Sequence, residues 1–368
     1  MRTPSAALMP LAEALAGLRS LAAPVAPRTV SLVEAHGRIA AATAHASRAI
    51  PPQRTALRDG FAVEAAAIGG ASPYAPVMLP RPPVWVEAGD AMPLGTDAVL
   101  PAEGLEGRDA VAEIGAGEGT RAPGDDLSEG DILLAAGERV TPRHCLALAA
   151  ADVRDVAIRT PRIRLIATGA PEPDALLPML AALIGASGAT AEMVAVPDDP
   201  EPIAWAIAGE GADAIFVLGG TGFGRSDRSA EGLAEAGRVL AHGLALRPGE
   251  TAGFGETGGR PVLLLPGRPD AALAAFLALG RPLIAALAGA TLAEAVGWTP
   301  RTGTLRRKIT STVGLSEIVY LRRYGSEIEP LGGADLPLRR LIEADGAVLV
   351  PPEREGYPAG SEVEVVPL

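Results

Sequence analysis

Leu218-Gly219-Gly220-Thr221-Gly222-Phe223-Gly224-Arg225-Ser226-Asp227 is the stretch on which the reading of this chain turns. It follows the apolar run Ala214-Ile215-Phe216-Val217, whose short, continuous, partly β-branched character marks a parallel strand buried on both faces. A segment rich in Ala, Glu and Leu comes next and reads as a helix. Four glycines within six residues let backbone N–H groups turn outward, and the following helix N-terminus adds partial positive charge. Such a turn suits a phosphate or another oxyanion. Asp227 stands at its rim, placed to hold a metal ion or take a proton. The same spacing also fits a strand-to-helix turn without a ligand.

Strands and helices alternate on both sides of this turn. Apolar runs at 163–167, 193–196 and 262–265 predict strands, and segments 174–187, 200–209 and 269–288 predict helices, so 161–290 reads as a doubly wound α/β domain. Ligands of such sheets bind beyond the carboxyl ends of the strands. Here those ends are Thr168-Gly169-Ala170-Pro171, Pro197-Asp198-Asp199-Pro200, the glycine turn and Pro266-Gly267-Arg268-Pro269, all expected at one crevice. One of Asp198 and Asp199 caps the following helix. The spare carboxylate and Asp227 form a pair suited to magnesium, which takes oxygen ligands from one or two carboxylates and from substrate phosphates. Within His242-Gly243-Leu244-Ala245-Leu246-Arg247-Pro248-Gly249, Arg247 is held in a rigid turn where its guanidinium can fork onto phosphate, although a plain surface turn fits as well. His242 reads as a packing residue.

At 368 residues the chain predicts two to four units. Segments 1–49 and 131–160 form an elongated linker part, with Leu11, Leu15, Leu18 and Leu21 on one helical face and a second helix expected over 31–42. Pro24 and Pro27 separate the two. Segment 50–130 is a β-rich insertion with Gly and Pro boundaries, and 291–368 returns to β structure after Gly297-Trp298-Thr299-Pro300. A net charge of −12 argues against nucleic acid or an anionic membrane surface as partner. The single cysteine, Cys145, allows no intramolecular disulfide, and His36, His45, His144 and His242 lack zinc-like spacing. No apolar run reaches the roughly 20 residues of a membrane span, so the expectation is a soluble cytoplasmic protein.

Taken together and in order, these motifs resemble the MoeA/gephyrin E-domain family, the molybdopterin molybdenumtransferases. Leu57-Arg58-Asp59-Gly60-Phe61-Ala62-Val63 is similar to the family's S-A-M-D-G-Y-A-V, and Pro123-Gly124-Asp125-Asp126-Leu127 to its R-G-E-D-I. The glycine turn with Asp227 matches G-G-x-S-x-G-x-x-D, His242 to Gly249 matches H-G-V-A-M-R-P-G, and Leu265-Pro266-Gly267-Arg268-Pro269 matches L-P-G-N-P. Ala344-Asp345-Gly346-Ala347 and Tyr357-Pro358-Ala359-Gly360 match the closing turns. The resemblance implies a C-terminal small β-barrel and a homodimer with a site shared between protomers, the Asp59 loop reaching the partner glycine loop. It implies binding of molybdopterin, presented adenylated, and magnesium-dependent insertion of molybdate with release of AMP, the product passing to molybdoenzymes. Carried onto this chain, the acidic positions are Asp59, Asp126, Asp198 and Asp227, with Asp198 and Asp227 facing the metal. The cofactor-binding positions are Gly219, Gly220, Thr221, Gly222, Gly224, Ser226, Arg247, Pro248, Gly249, Gly267, Arg268 and Arg322.

The departures from the family pattern are equally specific. Its lysine after P-G is Glu250, the serine after its L-P-G-N-P is Ala271, its asparagine is Arg268, its C-terminal G-S turn reads Gly332-Gly333, and its T-G-D-E-L is Thr168-Gly169-Ala170-Pro171-Glu172. Glutamate for lysine inverts a local charge, and at about 4 Å with an effective dielectric of about 20 a unit charge is worth about 4 kcal/mol. The pterin-phosphate side of the site is kept, while the molybdate side departs. An alternative is therefore a binder of molybdopterin or another phosphorylated pterin that no longer inserts molybdate. A dinucleotide oxidoreductase is disfavoured, since no acidic residue closes a nearby strand at the spacing ribose recognition needs.

Overall fold

The computed structural model describes residues 8–169, 176–224, 227–291 and 301–368. The apolar runs before the glycine turn form β1 (Arg162–Thr168), β2 (Thr190–Val196) and β3 (Ala214–Leu218), with α1 (Leu176–Ala186) and α2 (Pro200–Ala208) between them. After the turn come α3 (Ser229–Ala236), β4 (Arg238–His242), β5 (Gly253–Thr257), β6 (Arg260–Leu265) and a 19-residue helix, α4 (Pro269–Leu287). The sheet order is β2-β1-β3-β6-β5-β4. Its first four strands are parallel, with Leu165 beside Phe216 and Phe216 beside Leu263, while β5 and β4 add antiparallel strands at one edge.

Every residue of β3 is buried, and alternation assigns its two faces to different cores. Phe216 and Leu218 join Leu263, Leu265 and α4 in one core, with the Phe216 and Phe276 rings edge to face at 6.5 Å. Ile215 and Val217 meet Ile203, Ile207 and Leu233 from α2 and α3 in the other. Each such side chain contributes about 1.5–3 kcal/mol by burial, so the strand that carries the glycine turn is fixed from both sides. Helix α4 is long and apolar enough to cross a membrane, longer than the apolar runs read from sequence. It is nevertheless mostly buried in the protein, as a core helix is.

The C-terminal strands β7 (Arg301–Leu305), β8 (Ser316–Tyr324), β9 (Glu327–Gly332), β10 (Gly346–Val350) and β11 (Glu362–Pro367) close into a five-stranded barrel in the order β8-β9-β7-β11-β10, with β10 returning to β8. Leu305, Val319, Leu321, Ile328, Val348 and Val363 fill it. The Gly297 to Pro300 turn lies outside the described residues. A two-residue strand, Leu246–Arg247, runs parallel to the start of β8 and ties the barrel to the α/β part. Tyr320, fully buried on β8, donates its hydroxyl to the Asp270 carbonyl of α4 at 2.5 Å, and burial pushes that phenol's pKa far upward.

The chain forms two compact units, one of Met1–Ala42, Ala136–Thr141 and Asp155–Leu368, the other of Thr43–Ala135 and Pro142–Arg154. In the first, helix Leu11–Leu21 places Leu11, Ala14 and Leu18 in the main core. The helix expected over 31–42 is confined to Leu32–Ala35, capped by Ser31. Its flanks, Arg28–Ser31 and Ile39–Ala40, instead pair with Asp155–Arg159, where β-branched Val30 and Ile39 are favoured. In the second unit Gly60–Val63 lies between Val84–Val86 and Ala98–Leu100 over a core of Val63, Ile68, Leu79 and Leu100.

Replacing Tyr320 by Phe removes the hydrogen bond that joins barrel to α4 at a dry site. Urea unfolding is expected to show a loss of about 1–2 kcal/mol with unchanged m-value.

Candidate functional site

The glycine turn is held to the sheet before it is shaped for anything else. Gly219 donates its N–H to the Leu265 carbonyl at 3.0 Å, and a Cβ on Gly267 would sit 3.4 Å from the Gly219 Cα, so the ends of β3 and β6 lie in contact. Gly219 and Gly220 have φ of +92° and +58°, the left-handed region that glycine enters without strain. Space makes the stronger demand at Gly220. A Cβ there would meet Asp198 Oδ1 at 2.8 Å, Ser229 Oγ at 2.9 Å and Thr168 Oγ1 at 3.1 Å. The ends of β1, β2 and β3 and the start of α3 thus converge on one bare backbone unit. Ser229, fully buried, donates to the Gly219 carbonyl at 2.7 Å and its N–H to the Gly220 carbonyl at 3.0 Å.

The rest of the turn folds around Asp227. Its Oδ2 accepts the Gly224 N–H at 2.9 Å, and side chains at Gly222 or Gly224 would come within 2.6–2.7 Å of that oxygen. One donor expected to face a ligand is therefore satisfied from within. His242 Nε2 donates to the Thr221 carbonyl at 2.8 Å, which fixes the tautomer, and the ring lies 5.0 Å from that of Phe223. His242 braces the turn. Asp198 contrasts with Asp227, because its Oδ1 is buried without a hydrogen-bond partner. Desolvation first, and then the negative charges of Asp227 and Asp199, hold the Asp198 carboxyl above the usual range.

A cavity of about 450 Å³ joins Gly220, Thr221, Gly222 and Asp227 to Arg247, Gly249, Glu250 and Thr251 on one side and to Gly267, Arg268 and Asp335 on the other. Arg247 is followed by a cis peptide to Pro248 and stands half exposed, 3.9 Å from Glu250. The Glu250 carboxylate also accepts the Gly249 N–H at 3.1 Å. Across the cavity Arg268 grips the buried Asp270 with Nε and Nη2, at 3.2 and 2.7 Å, and reaches Asp335 with Nη1 at 2.5 Å. Asp270 in turn accepts the Asp335 N–H at 2.8 Å. Bonding to Asp270 foremost raises the Arg268 pKa, so this guanidinium is a permanently charged clamp between α4 and the barrel.

The structure thus gathers Gly220, Thr221, Gly222, Asp227, Arg247, Gly249, Gly267 and Arg268 around one cavity, with Gly219 beneath it and Asp198 behind Gly220. Gly224 belongs to the same turn, and Pro248 lies between two wall residues. Ser226 lies outside the described residues, as do Ala170, Pro171 and Glu172. Arg322 is not part of this wall. It lies on β8, bonded to Glu343 Oε2 at 3.3 Å with its guanidinium 5.2 Å from the Tyr324 ring centre. Asp59 and Asp126 fall in the other compact unit, where Asp59 accepts the Ala88 N–H and Asp126 the Arg121 guanidinium. Sequence reasoning missed Thr251, Ser229, Asp270 and Asp335. Asp270 carried the one available signal, an acidic residue two positions after the Arg268 it pairs with.

Three family models match in succession, "MoeA N-terminal region (domain I and II)" over 9–151, "Probable molybdopterin binding domain" over 166–286 and "MoeA C-terminal region (domain IV)" over 303–368. The chain is 28% identical to molybdopterin molybdenumtransferase 1 of Mycobacterium tuberculosis, covering 94% of this chain and 96% of that protein. It is 27% identical to the molybdopterin molybdenumtransferase of Synechococcus elongatus, covering 93% and 94%. The crystal structure of a MoeA molybdopterin biosynthesis protein from Pyrococcus horikosii superposes with a TM-score of 0.76 at 26% identity, over 98% of this chain and 99% of that one.

Gly220→Ala forces a Cβ among three side-chain oxygens at positive φ. Thermal or urea unfolding should show a loss of about 2 kcal/mol or more, whereas Gly267→Ala, with an ordinary contact at 3.4 Å, should cost under about 1 kcal/mol.

Proposed function

The chain belongs to the MoeA family, and we propose that it acts in molybdenum cofactor biosynthesis as a molybdopterin molybdenumtransferase, inserting molybdate into adenylated molybdopterin and releasing AMP. The observation that carries this reading is the 450 Å³ cavity into which the glycine turn, the Arg247 turn and the entry to α4 all open. Matches to transferases over almost the whole of both chains support it.

Each wall has a chemical task in this reading. The turn from Gly219 to Gly224, with the start of α3 behind it, receives the phosphate of the pterin. Arg247 offers a guanidinium to anionic oxygens, and its distance of 3.9 Å from Glu250 leaves it able to exchange partners. Asp198 and Asp227 would hold Mg²⁺. The fit rests on the partnerless, buried Asp198 Oδ1 beside a second carboxylate, an oxygen-only donor set of the kind this ion takes. Among the described residues no group of three or more His, Cys, Asp or Glu converges, so the remaining ligands would come from substrate and water. When bound, the ion would neutralise phosphate charge as AMP departs. Arg268, saturated by Asp270 and Asp335, keeps the barrel wall against α4 so that the cavity holds its shape.

The same reading includes a homodimer in which the Asp59 loop reaches the partner glycine loop, Asp126 as a further acidic position at the cleft, Arg322 and Ser226 as further ligand contacts, cytoplasmic action and delivery to molybdoenzymes. It keeps the division into a linker part (1–49 with 131–160), an insertion (50–130), an α/β domain (161–290) and a barrel (291–368). A pterin binder without insertion activity rests on Glu250, Ala271 and Gly333 alone and is not favoured.

Expression in a strain lacking its own transferase is expected to restore molybdoenzyme activity, and Asp198→Asn to abolish the rescue. Soluble, folded wild-type protein that leaves the strain uncomplemented would remove the enzymatic reading.

A further inference from the structure

The second compact unit holds a cavity of about 670 Å³, larger than the one at the glycine turn and sharing no wall residue with it. Three segments meet there: the end of Gly60–Val63 with Glu64 after it, the proline-rich run 79–84, and the turn 93–96. Backbone bonds set their positions. Asp97 donates its N–H to the Val63 carbonyl at 2.9 Å and Leu79 to the Arg108 carbonyl at 2.8 Å, while the Thr96 hydroxyl closes the turn on the Pro93 carbonyl at 2.7 Å. Pro80, Pro82 and Pro83 fix φ along the run between them, so the walls keep their shape without a ligand.

The lining is hydrocarbon with one charge of each sign. Ala62, Val63, Leu79, Val84 and Leu94 supply the apolar surface, and Leu94 is 98% exposed. Four further wall residues are prolines, which have no N–H to donate. Polar recognition therefore falls to Arg81 and Glu64, the only charged wall residues among those described. Arg81 reaches toward the opposite turn, since its Nη1 would stand 3.7 Å from a Cβ on Gly95. Every other arginine of segment 50–130 is bonded: Arg54 to Thr120, Arg58 to Glu118, Arg108 to the Leu79 carbonyl and Arg121 to Asp126. The Arg81 guanidinium and the Glu64 carboxylate, both exposed, pair neither with each other nor with any other side chain among the described residues. An occupant bearing a single charge would cover the hydrocarbon while leaving the other wall charge uncompensated and partly dehydrated. An occupant with both charges answers both.

We propose that this cavity binds a small apolar zwitterion, the chemistry shared by amino acids with hydrocarbon side chains and by short apolar peptides, with its carboxylate on Arg81, its ammonium on Glu64 and its hydrocarbon against Leu79, Val84 and Leu94. The site does not depend on the transferase reading, because none of its residues enters the cavity at the glycine turn.

Saturation-transfer NMR titrations of the full chain supply the test. L-Phenylalanine and L-leucyl-L-leucine are the zwitterionic probes, with 3-phenylpropionate, which lacks the ammonium, and phenethylamine, which lacks the carboxylate, as controls. At least one zwitterion is expected to bind about fivefold more tightly than either control. The tighter of the two identifies the amino acid or the peptide as the source. Arg81→Gln should weaken the zwitterion and 3-phenylpropionate while leaving phenethylamine unchanged, and Glu64→Gln should weaken the zwitterion and phenethylamine while leaving 3-phenylpropionate unchanged. Both side chains are exposed, so the variants are expected to keep the wild-type melting temperature. Absence of binding by both zwitterions, a control that binds the wild-type protein as tightly as they do, or a preference that survives both substitutions would overturn the proposal.

Discussion

The backbone at Gly220 passes through a space that admits no side chain, because Asp198, Ser229 and Thr168 present oxygens to it from three different elements. That exclusion is the constraint on which the site depends. It forces the turn to leave β3 through left-handed conformations, brings β6 and the start of α4 into contact through Gly219 and Gly267, and leaves Asp198 pressed behind the turn with one oxygen unsatisfied. The two apolar cores on either face of β3 supply the rigidity that such crowding requires. Packing, turn geometry and the raised Asp198 pKa are therefore one arrangement seen at three levels.

Charge shapes the rest of the cavity. Its two guanidiniums are unequal, since Arg268 is consumed by Asp270 and Asp335 while Arg247 makes a single loose pair with Glu250. Glutamate at 250, which offsets the site's positive charge, also folds onto the Gly249 N–H, so part of its charge is spent on the turn itself. Arg268, in place of a neutral residue in the family pattern, adds positive charge at the opposite wall but commits it to holding barrel and helix together. In the proposed reading, anion binding would rest on Arg247 and on backbone donors more than on the number of cations.

Much of the α/β part was legible because its strands are buried on both faces and therefore read as uninterrupted apolar runs, as in 163–167 and 214–217. The antiparallel extension was less visible. Gly253–Thr257, with two glycines and two polar residues among its five, gains strand identity only from its neighbours β4 and β6. Barrel strands Arg301–Leu305 and Glu327–Gly332 hide for the same reason, being half polar and stabilised by closure of the ring. At the site, motif order located the glycine turn, Arg247 and Asp227, all positions where local backbone geometry restricts the residue type. Arg268 could be placed but not its partner Asp335, which is 67 residues away and is brought near by tertiary contact alone.

The most direct test of the central claim is AMP release by the purified protein from adenylated molybdopterin in the presence of Mg²⁺, followed with and without molybdate. The account predicts stoichiometric release that requires molybdate and is lost in Asp198→Asn. Tight retention of the adenylated pterin with AMP release indifferent to molybdate would contradict it.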